Sequence, residues 1–176
     1  MNLTRPSRLA TRRRMRLANF DYSQAGWYFV TINSQHGACL FGRAEDGRVQ
    51  LSAAGKMIAE SWIGQRVSYK GITTDRFVVM PNHLHGILVL DGTPPGDLRR
   101  SLPEVIQRFK ALTTTRYVVG VKTSDWPRFD GRLWHRGYYE HVIRNDADLD
   151  RIRQYVSDNP ARWAKERESP ASAFGR

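Results

Sequence analysis

A short stretch in the middle of the chain, "MPNHLHGILVL" (Met80–Leu90), places two histidines at the start of an otherwise apolar run. Side chains alternate between the two faces of a β-strand, so His83 and His85 point the same way while Leu84 points the other way. Ile87 continues the histidine face, which must therefore be covered by something apolar. A helix is the natural cover.

The segments around this strand predict a mixed α+β domain. "ITTDRFVVM" becomes apolar towards its end, and the pair Pro81–Asn82 supplies the turn of an antiparallel hairpin. Upstream, "WYFVTIN" (Trp27–Asn33) predicts a first strand, and "LSAAGKMIAESWIGQRV" carries apolar residues at helical spacing. Downstream, a helix is predicted from Leu102 to Tyr117, followed by a loop and by the extended segment "LWHRGYYEHVIR".

The last predicted helix is capped by Asn145 or Asp146 and ends at Pro160. The order strand, helix, strand, strand, helix, strand, helix predicts an α+β sandwich with helices against an antiparallel sheet of about four or five strands. The inward face of the last helix is apolar and contains Leu149, Ile152 and Val156.

Composition narrows the class of protein. A chain of 176 residues suits one domain, and 28 Lys and Arg against 17 Asp and Glu give a formal charge of +11. This charge favours a polyanionic partner, nucleic acid first, although ribosomal association or a generally basic surface gives the same balance. The single Cys39 excludes an internal disulfide and a CxxC zinc site. Without an apolar run of roughly 18 residues, we expect a cytoplasmic protein with no membrane span.

We expect three parts along the chain: a basic arm (1–20), a single catalytic or binding domain (21–163) and a C-terminal tail (164–176). Residues 1–16 contain no acidic residue, which is typical of a phosphate-binding arm and equally of a disordered tail. The candidate nucleic-acid contacts in this arm are Arg12, Arg13 and Arg14.

The histidine pair is a candidate for half of a metal site. Residues two apart in a strand lie about 6.6 Å apart, from which two imidazoles can converge on one ion. Strand-end histidines that bond to neighbouring backbone give the same pattern. Tyr155 and Asn159 lie one helical turn apart beside the inward face of the last helix, and offer a nucleophilic hydroxyl and an oxygen ligand. Both residue types also occur at such places for structural reasons alone.

Three blocks in this order and at these separations, "MPNHLHGI", "LWHRGYYEHVIRN" and "RQYVSDNP", resemble the REP-associated tyrosine transposases of bacteria. These are HUH single-strand endonucleases with one catalytic tyrosine. The resemblance begins near Phe20, runs to about Pro160, and implies an RRM-like, ferredoxin-like fold. It places His83 and His85 as ligands of a divalent ion, Mg²⁺ or Mn²⁺.

The same resemblance implies the chemistry of the last helix. Tyr155 stands at the position of the nucleophile, which would leave a 5′-phosphotyrosyl enzyme and a free 3′-OH on single-stranded DNA. Asn159 matches a polar third metal ligand, whereas no role follows for His141. Family members recognise palindromic REP hairpins, and relatives act as monomers or homodimers, so both states stay open.

Further DNA contacts are expected from basic and aromatic side chains outside these blocks. The basic candidates are Arg108, Lys110, Arg132 and Arg136. Single strands also need stacking surfaces, and at most two of five neighbouring aromatic residues are expected to serve bases, the others being core. These five are Trp126, Phe129, Trp134, Tyr138 and Tyr139.

Two other functions remain open at this point. A non-catalytic, single-stranded nucleic-acid-binding module of the same RRM-like fold would bind without a covalent adduct, its histidines merely packing. A metal-dependent hydrolase would use the histidine pair with an activated water, and its cleavage would not depend on Tyr155.

Overall fold

The computed structural model describes residues 20–68, 70–92 and 100–168. Arg12, Arg13 and Arg14 of the predicted arm and residues 169–176 of the predicted tail lie outside the described residues. In chain order the elements are β1 (Gly26–Asn33), a short 3₁₀ turn (Gln35–Gly37), β2 (Gly42–Glu45), β3 (Arg48–Leu51), α1 (Ala53–Ser68), β4 (Ile72–Met80), β5 (His83–Leu90), α2 (Leu102–Thr123), β6 (Tyr139–Ile143) and α3 (Asp146–Glu168).

The main sheet contains four antiparallel strands in the order β4-β5-β1-β6, which confirms the predicted α+β class. The predicted hairpin joins β4 to β5, with Met80 opposite His83 across the turn at Pro81 and Asn82. None of the helices in the described part of the chain is long and apolar enough to cross a membrane.

The two faces of the sheet bury different sets of side chains. On one face, residues such as Val30 and Leu88 pack against α1 and α2 in the larger apolar cluster. On the other face, Phe29 and Ile87 pack against Ile152 of α3 in a smaller cluster. The helical cover predicted for the histidine face is therefore α3.

Gly86, directly after the second histidine, allows α1 to pack closely on the sheet. A Cβ atom added at Gly86 would lie 2.5 Å from Cζ2 of Trp62, a fully buried side chain of α1. The Trp62 ring meets Phe109 of α2 edge to face, with centroids 5.2 Å apart. The absence of a side chain at Gly86 thus makes room for the aromatic centre of the larger cluster.

A second, two-stranded sheet formed by β2 and β3 was not part of the predicted order. Its turn is Asp46–Gly47, and both residues have positive φ, 50° and 70°. Asp-Gly is a preferred pair for such two-residue hairpin turns, so the sequence does carry a signal for it. The strands are only four residues long and half-exposed, which makes their alternation hard to recognise.

Helix α2 continues to Thr123, beyond the predicted end at Tyr117. The chain then folds back over the helix, and the Tyr117 hydroxyl donates to the carbonyl oxygen of Pro127 at 2.9 Å. Gly120 permits this return, because a Cβ atom there would lie 2.3 Å from the Trp126 ring. Packing of this returning segment supports the additional helical turns.

Helix α3 begins as predicted, with the Asn145 side chain accepting a hydrogen bond from the Asp148 backbone N–H at 2.9 Å. The prediction that it ends at Pro160 is wrong, because the helix runs on to Glu168. A proline removes one helical hydrogen bond. Tertiary contacts support the extension: Trp163 packs against His83, and Ala161 lies against Gly47 of the small hairpin.

Candidate active site

The structure brings together in one cleft the four residues predicted for catalysis and metal binding. His83 and His85 come from the start of β5, and Tyr155 and Asn159 come from successive turns of α3. The cleft has a volume of about 350 Å³. Its remaining lining residues are Thr31, Asn33, Asn82, Arg162 and Trp163.

The two histidines face each other through their Nε2 atoms, which are 3.0 Å apart. Both side chains are buried, with 8% and 5% of their surface exposed. Desolvation lowers the pKa of His83 to about 4 and, together with the nearby His83, lowers the pKa of His85 to about 3. Both rings are therefore neutral at neutral pH, which is the state that metal binding requires.

Outer contacts orient both imidazole rings. The Asn82 amide nitrogen donates to the Gly37 carbonyl at 3.1 Å, so its oxygen is the atom that lies 2.7 Å from Nδ1 of His83. An amide oxygen only accepts, so Nδ1 of His83 carries the proton and Nε2 keeps its lone pair. The Thr31 hydroxyl lies 2.8 Å from Nδ1 of His85 and can accept its proton in the same way. Such partners are typical of metal-ligating histidines.

Asn159 lies in the position expected of a third ligand. Its side chain is 7% exposed and hydrogen-bonds to His83, which opposes the fall in the pKa of that histidine. Among the described residues, no group of three or more His, Cys, Asp and Glu side chains could hold a metal ion. A third protein ligand at this cleft would therefore have to be an amide or hydroxyl oxygen of the cleft lining, such as that of Asn159.

Tyr155 is held from several sides while it lines the cleft. Its ring meets Phe29 edge to face at 5.9 Å between centroids and lies 5.3 Å from the His85 ring. The Arg162 guanidinium lies 5.7 Å from the centroid of the same ring. Arg162 and Trp163 were missed by the sequence reasoning because they follow Pro160. Their spacing from Tyr155 would have identified them, had the helix been continued.

Side-chain hydrogen bonds fix α3 to both edge strands of the sheet. Arg153 donates to both carboxylate oxygens of Asp75 on β4 at 2.9 Å, which lowers the pKa of Asp75. On the opposite edge, His141 of β6 lies 2.7 Å from Asp148, and this hydrogen bond lowers the pKa of that carboxyl. His141, for which the sequence suggested no role, thus helps to position the helix that carries Tyr155.

The predicted basic DNA contacts lie in different surroundings. Lys110 donates through Nζ to the backbone carbonyls of His135 and Gly137 at 2.9 Å, and of Arg136 at 3.3 Å. This ammonium holds the segment before β6, and its contact with DNA stays a prediction. Arg108 is exposed on α2, and Arg132 and Arg136 are exposed between α2 and β6.

The five neighbouring aromatic residues differ in how far their side chains are buried. Trp134 and Tyr138 are buried, and Trp126 and Phe129 pack edge to face on Tyr117. Tyr139 is 49% exposed. The expectation that most of the five belong to the core is confirmed.

A comparison with known protein sequences finds a relative that shows the family of this chain. An uncharacterized protein of Haemophilus influenzae is 30% identical over 174 residues, which cover 88% of this chain and 91% of that protein. The chain belongs to the family of this Haemophilus protein. No family model matches the chain.

One solved structure confirms the predicted fold. A REP-associated tyrosine transposase bound to a REP hairpin matches with a TM-score of 0.59 and 20% identity, over 84% of this chain and 73% of that one. A candidate transposase of Deinococcus radiodurans R1 gives a TM-score of 0.48 and 14% identity, over 81% of this chain and 95% of that one. The chain therefore has the fold of a REP-associated tyrosine transposase.

Proposed function

We propose that the protein is a metal-dependent single-strand DNA endonuclease and strand transferase that acts on REP-type hairpin DNA. The observation that carries this proposal is the convergence of Tyr155, His83, His85 and Asn159 in one cleft. The shared fold with a transposase whose structure contains a REP hairpin supports DNA hairpins as the substrate class.

The residues of the cleft fit a divalent ion such as Mg²⁺ or Mn²⁺. Two ligands about 2.1 Å from an octahedral ion lie about 3.0 Å apart when they are neighbours, and the two Nε2 atoms are 3.0 Å apart. His83, His85 and the Asn159 oxygen would hold the ion. The chemistry that such an ion supplies is polarisation of a phosphate oxygen and neutralisation of the charge that develops there.

Tyr155 would act as the nucleophile. Its hydroxyl oxygen forms a bond to phosphorus as the phenol loses its proton to solvent, the bond from phosphorus to the 3′ oxygen breaks, and this oxygen takes up a proton to leave as a 3′-OH. The 5′-phosphotyrosyl link retains the energy of the phosphodiester, so a second 3′-OH can attack it and rejoin strands. Phe29 and His85 hold the ring, and the hydrogen bonds of Asp75 and Asp148 to Arg153 and His141 hold the helix, so that attack begins from a fixed geometry.

A covalent-adduct assay tests the proposal. The protein is incubated with single-stranded REP-type hairpin DNA and Mn²⁺ or Mg²⁺, and a denaturing gel is inspected for protein carrying DNA. We expect an adduct with the wild type and none with Tyr155→Phe or His83→Ala. Tyr28→Phe, which removes a hydroxyl bonded to the Gln24 carbonyl, and the exposed His36→Asn are matched controls that keep it.

The alternatives give different results in the same assay. Cleavage that persists in Tyr155→Phe would favour a hydrolase with an activated water. Binding with no adduct on any hairpin DNA would favour a non-catalytic single-strand binding module.

A further inference from the structure

We infer that Tyr139 forms a stacking site for one nucleobase of the single strand, next to the phosphate held in the cleft. This inference rests on the proposed function, because it assumes that the cleft receives single-stranded nucleic acid. It assigns a ligand class, an unpaired base, to a residue outside the cleft itself.

The first observation is the register of the sheet. Thr31 of β1 is opposite His85 of β5 on one side and opposite Tyr139 of β6 on the other. The three side chains therefore form one row on the same face of the sheet. Neighbouring strands are about 4.8 Å apart, so Tyr139 lies about 10 Å from His85 along this row. An adjacent nucleotide can span that separation.

The second observation is the exposure of the Tyr139 ring. Half of its surface is open, although it lies on an edge strand, where exposed aromatic surface favours unwanted association. The other large exposed apolar residues in the described part of the chain are Ile63, Leu112 and Val119, on α1 and α2. These two helices cover the opposite face of the sheet. Among the residues that the structure describes, Tyr139 is thus the large exposed apolar side chain on the face of the cleft.

The third observation is that Tyr139 shares a packing partner, Phe29, with His85 and Tyr155 of the cleft. Its ring meets Phe29 edge to face, with centroids 6.4 Å apart. The same Phe29 ring stacks on His85 at 5.5 Å and contacts Tyr155 at 5.9 Å. One buried aromatic side chain therefore supports the exposed ring, the predicted ligand and the predicted nucleophile, which fixes their mutual positions.

The surroundings of Tyr139 suit a polyanion. The segment before β6 carries the exposed Arg136 and His135, and its backbone is held in place by Lys110. Single-stranded DNA that leaves the cleft over Thr31 would place its next base on the Tyr139 ring. Its phosphate backbone would then lie near the segment before β6. Stacking on an aromatic ring does not depend on base identity, and loss of one stack costs about 1–3 kcal/mol.

Binding measurements in a Tyr155→Phe background test the inference without requiring cleavage. The probe is a fluorescent REP-type hairpin oligonucleotide with a single-stranded flank, and anisotropy gives its Kd. We expect Tyr139→Ala and Tyr139→Leu to weaken binding roughly 5- to 150-fold, and Tyr139→Phe to retain it. Leu keeps an apolar contact with Phe29, so equal effects of Ala and Leu exclude a folding defect. Leu112→Ala, which removes an equally exposed side chain on α2, is the control.

An abasic scan of the flank identifies the base. A single abasic site is moved along the oligonucleotide, and at one position the effect of Tyr139→Ala should disappear, since the stacking partner is already absent. Unchanged binding by Tyr139→Ala, or an equal loss with every abasic oligonucleotide, would overturn the inference. A parent protein that binds no single-stranded DNA would overturn it as well. This coupling in the Tyr155→Phe background, together with a wild type that forms no adduct in the covalent assay, would support the stacking site and contradict the proposed nucleophile.

Discussion

At the residue scale, the histidine pair shows how burial prepares a side chain for ligation. His83 and His85 are surrounded by Phe29, Tyr155 and Trp163, so the protonated forms of both imidazoles are disfavoured. Thr31 and Asn82 hold the two Nδ1 atoms. The cost of burying two polar rings is thereby offset by hydrogen bonds, and both Nε2 atoms converge on one point.

The depressed pKa values predict a loss of stability in mild acid. The pKa of His83 falls from 6.5 when unfolded to about 4 when folded, so the unfolded chain binds more protons between these values. The free energy of unfolding therefore decreases as the pH falls from about 6.5 towards 4. The carboxyls of Asp75 and Asp148 have pKa values below 3.8, so their losses come at lower pH.

Urea denaturation between pH 7.5 and 4, in the presence of a chelator, measures this dependence. We expect His83→Gln to show a shallower decline than the wild type within the window, because one of the two histidines whose pKa is depressed on folding is gone. A decline of the same slope in both proteins would contradict the assignment.

The Thr31 hydroxyl is predicted to control metal affinity through His85. Thr31→Val keeps the shape of the side chain and its preference for a strand, but removes the group that faces Nδ1 of His85. We expect the affinity for Mn²⁺ to fall about 10- to 100-fold, the usual effect of losing such an outer contact. Isothermal titration calorimetry measures it, with Thr31→Ser as the variant that restores the hydroxyl. Wild-type affinity in Thr31→Val would show that the ring needs no such support.

At the element scale, the sequence predicted the strands and helices whose apolar residues repeat with a regular period. It failed where tertiary contacts determine the end of an element. The alternation of β5 and the apolar face of α3 identify strand, helix and cover, because each repeats with the period of its element. Whether α3 continues past Pro160 depends on the tertiary contact between Trp163 and His83. Such a contact cannot be recognised from the local sequence. Tyr155 and Asn159 lie before Pro160, within the predicted helix, and could be proposed from the sequence. Arg162 lies beyond Pro160 and could not.

Packing of α1 on β5 predicts opposite effects of two glycine substitutions. In Gly86→Ala, the new methyl group would meet the Trp62 ring, and overpacking of this kind costs roughly 1–3 kcal/mol. Gly64 lies in α1, and in Gly64→Ala no heavy atom of the described residues, apart from the helix's own neighbouring backbone, would lie within 4 Å of the new Cβ. Alanine in a helix is favoured over glycine by about 0.5–1 kcal/mol, so this variant should be neutral or stabilised. Urea denaturation of both variants checks the pair, and equal stability of Gly86→Ala and wild type would contradict the tight contact.

At the scale of the whole molecule, the sheet separates two layers of unequal size. The larger apolar cluster joins α1, α2 and one face of the sheet, whereas α3 covers the other face with a smaller cluster. Stability should therefore reside mainly in the first layer. The proposed chemistry lies in the second layer, where Tyr155 and Asn159 are carried by a single helix.

This division predicts different hydrogen-exchange behaviour on the two faces. We expect amides of α3 to exchange faster than those of α2 and β5 under native conditions, because fewer buried contacts oppose local opening of α3. Exchange measured by mass spectrometry at neutral pH resolves these segments. Equal protection of α3 and β5 would mean that both layers open only with global unfolding.

The alternation of β5 also limits how this protein can vary in evolution. Its odd-numbered histidines serve the proposed site and its even-numbered Leu84 and Leu88 serve the larger cluster, while β4 and β1 pair with it on both sides. Inserting or deleting one residue would exchange the two faces, so that the imidazoles would enter the apolar layer and leucines would enter the cleft. Length changes in this strand would remove folding and activity together. We therefore expect related sequences to differ here by replacement alone, and to place their length variation in the loops.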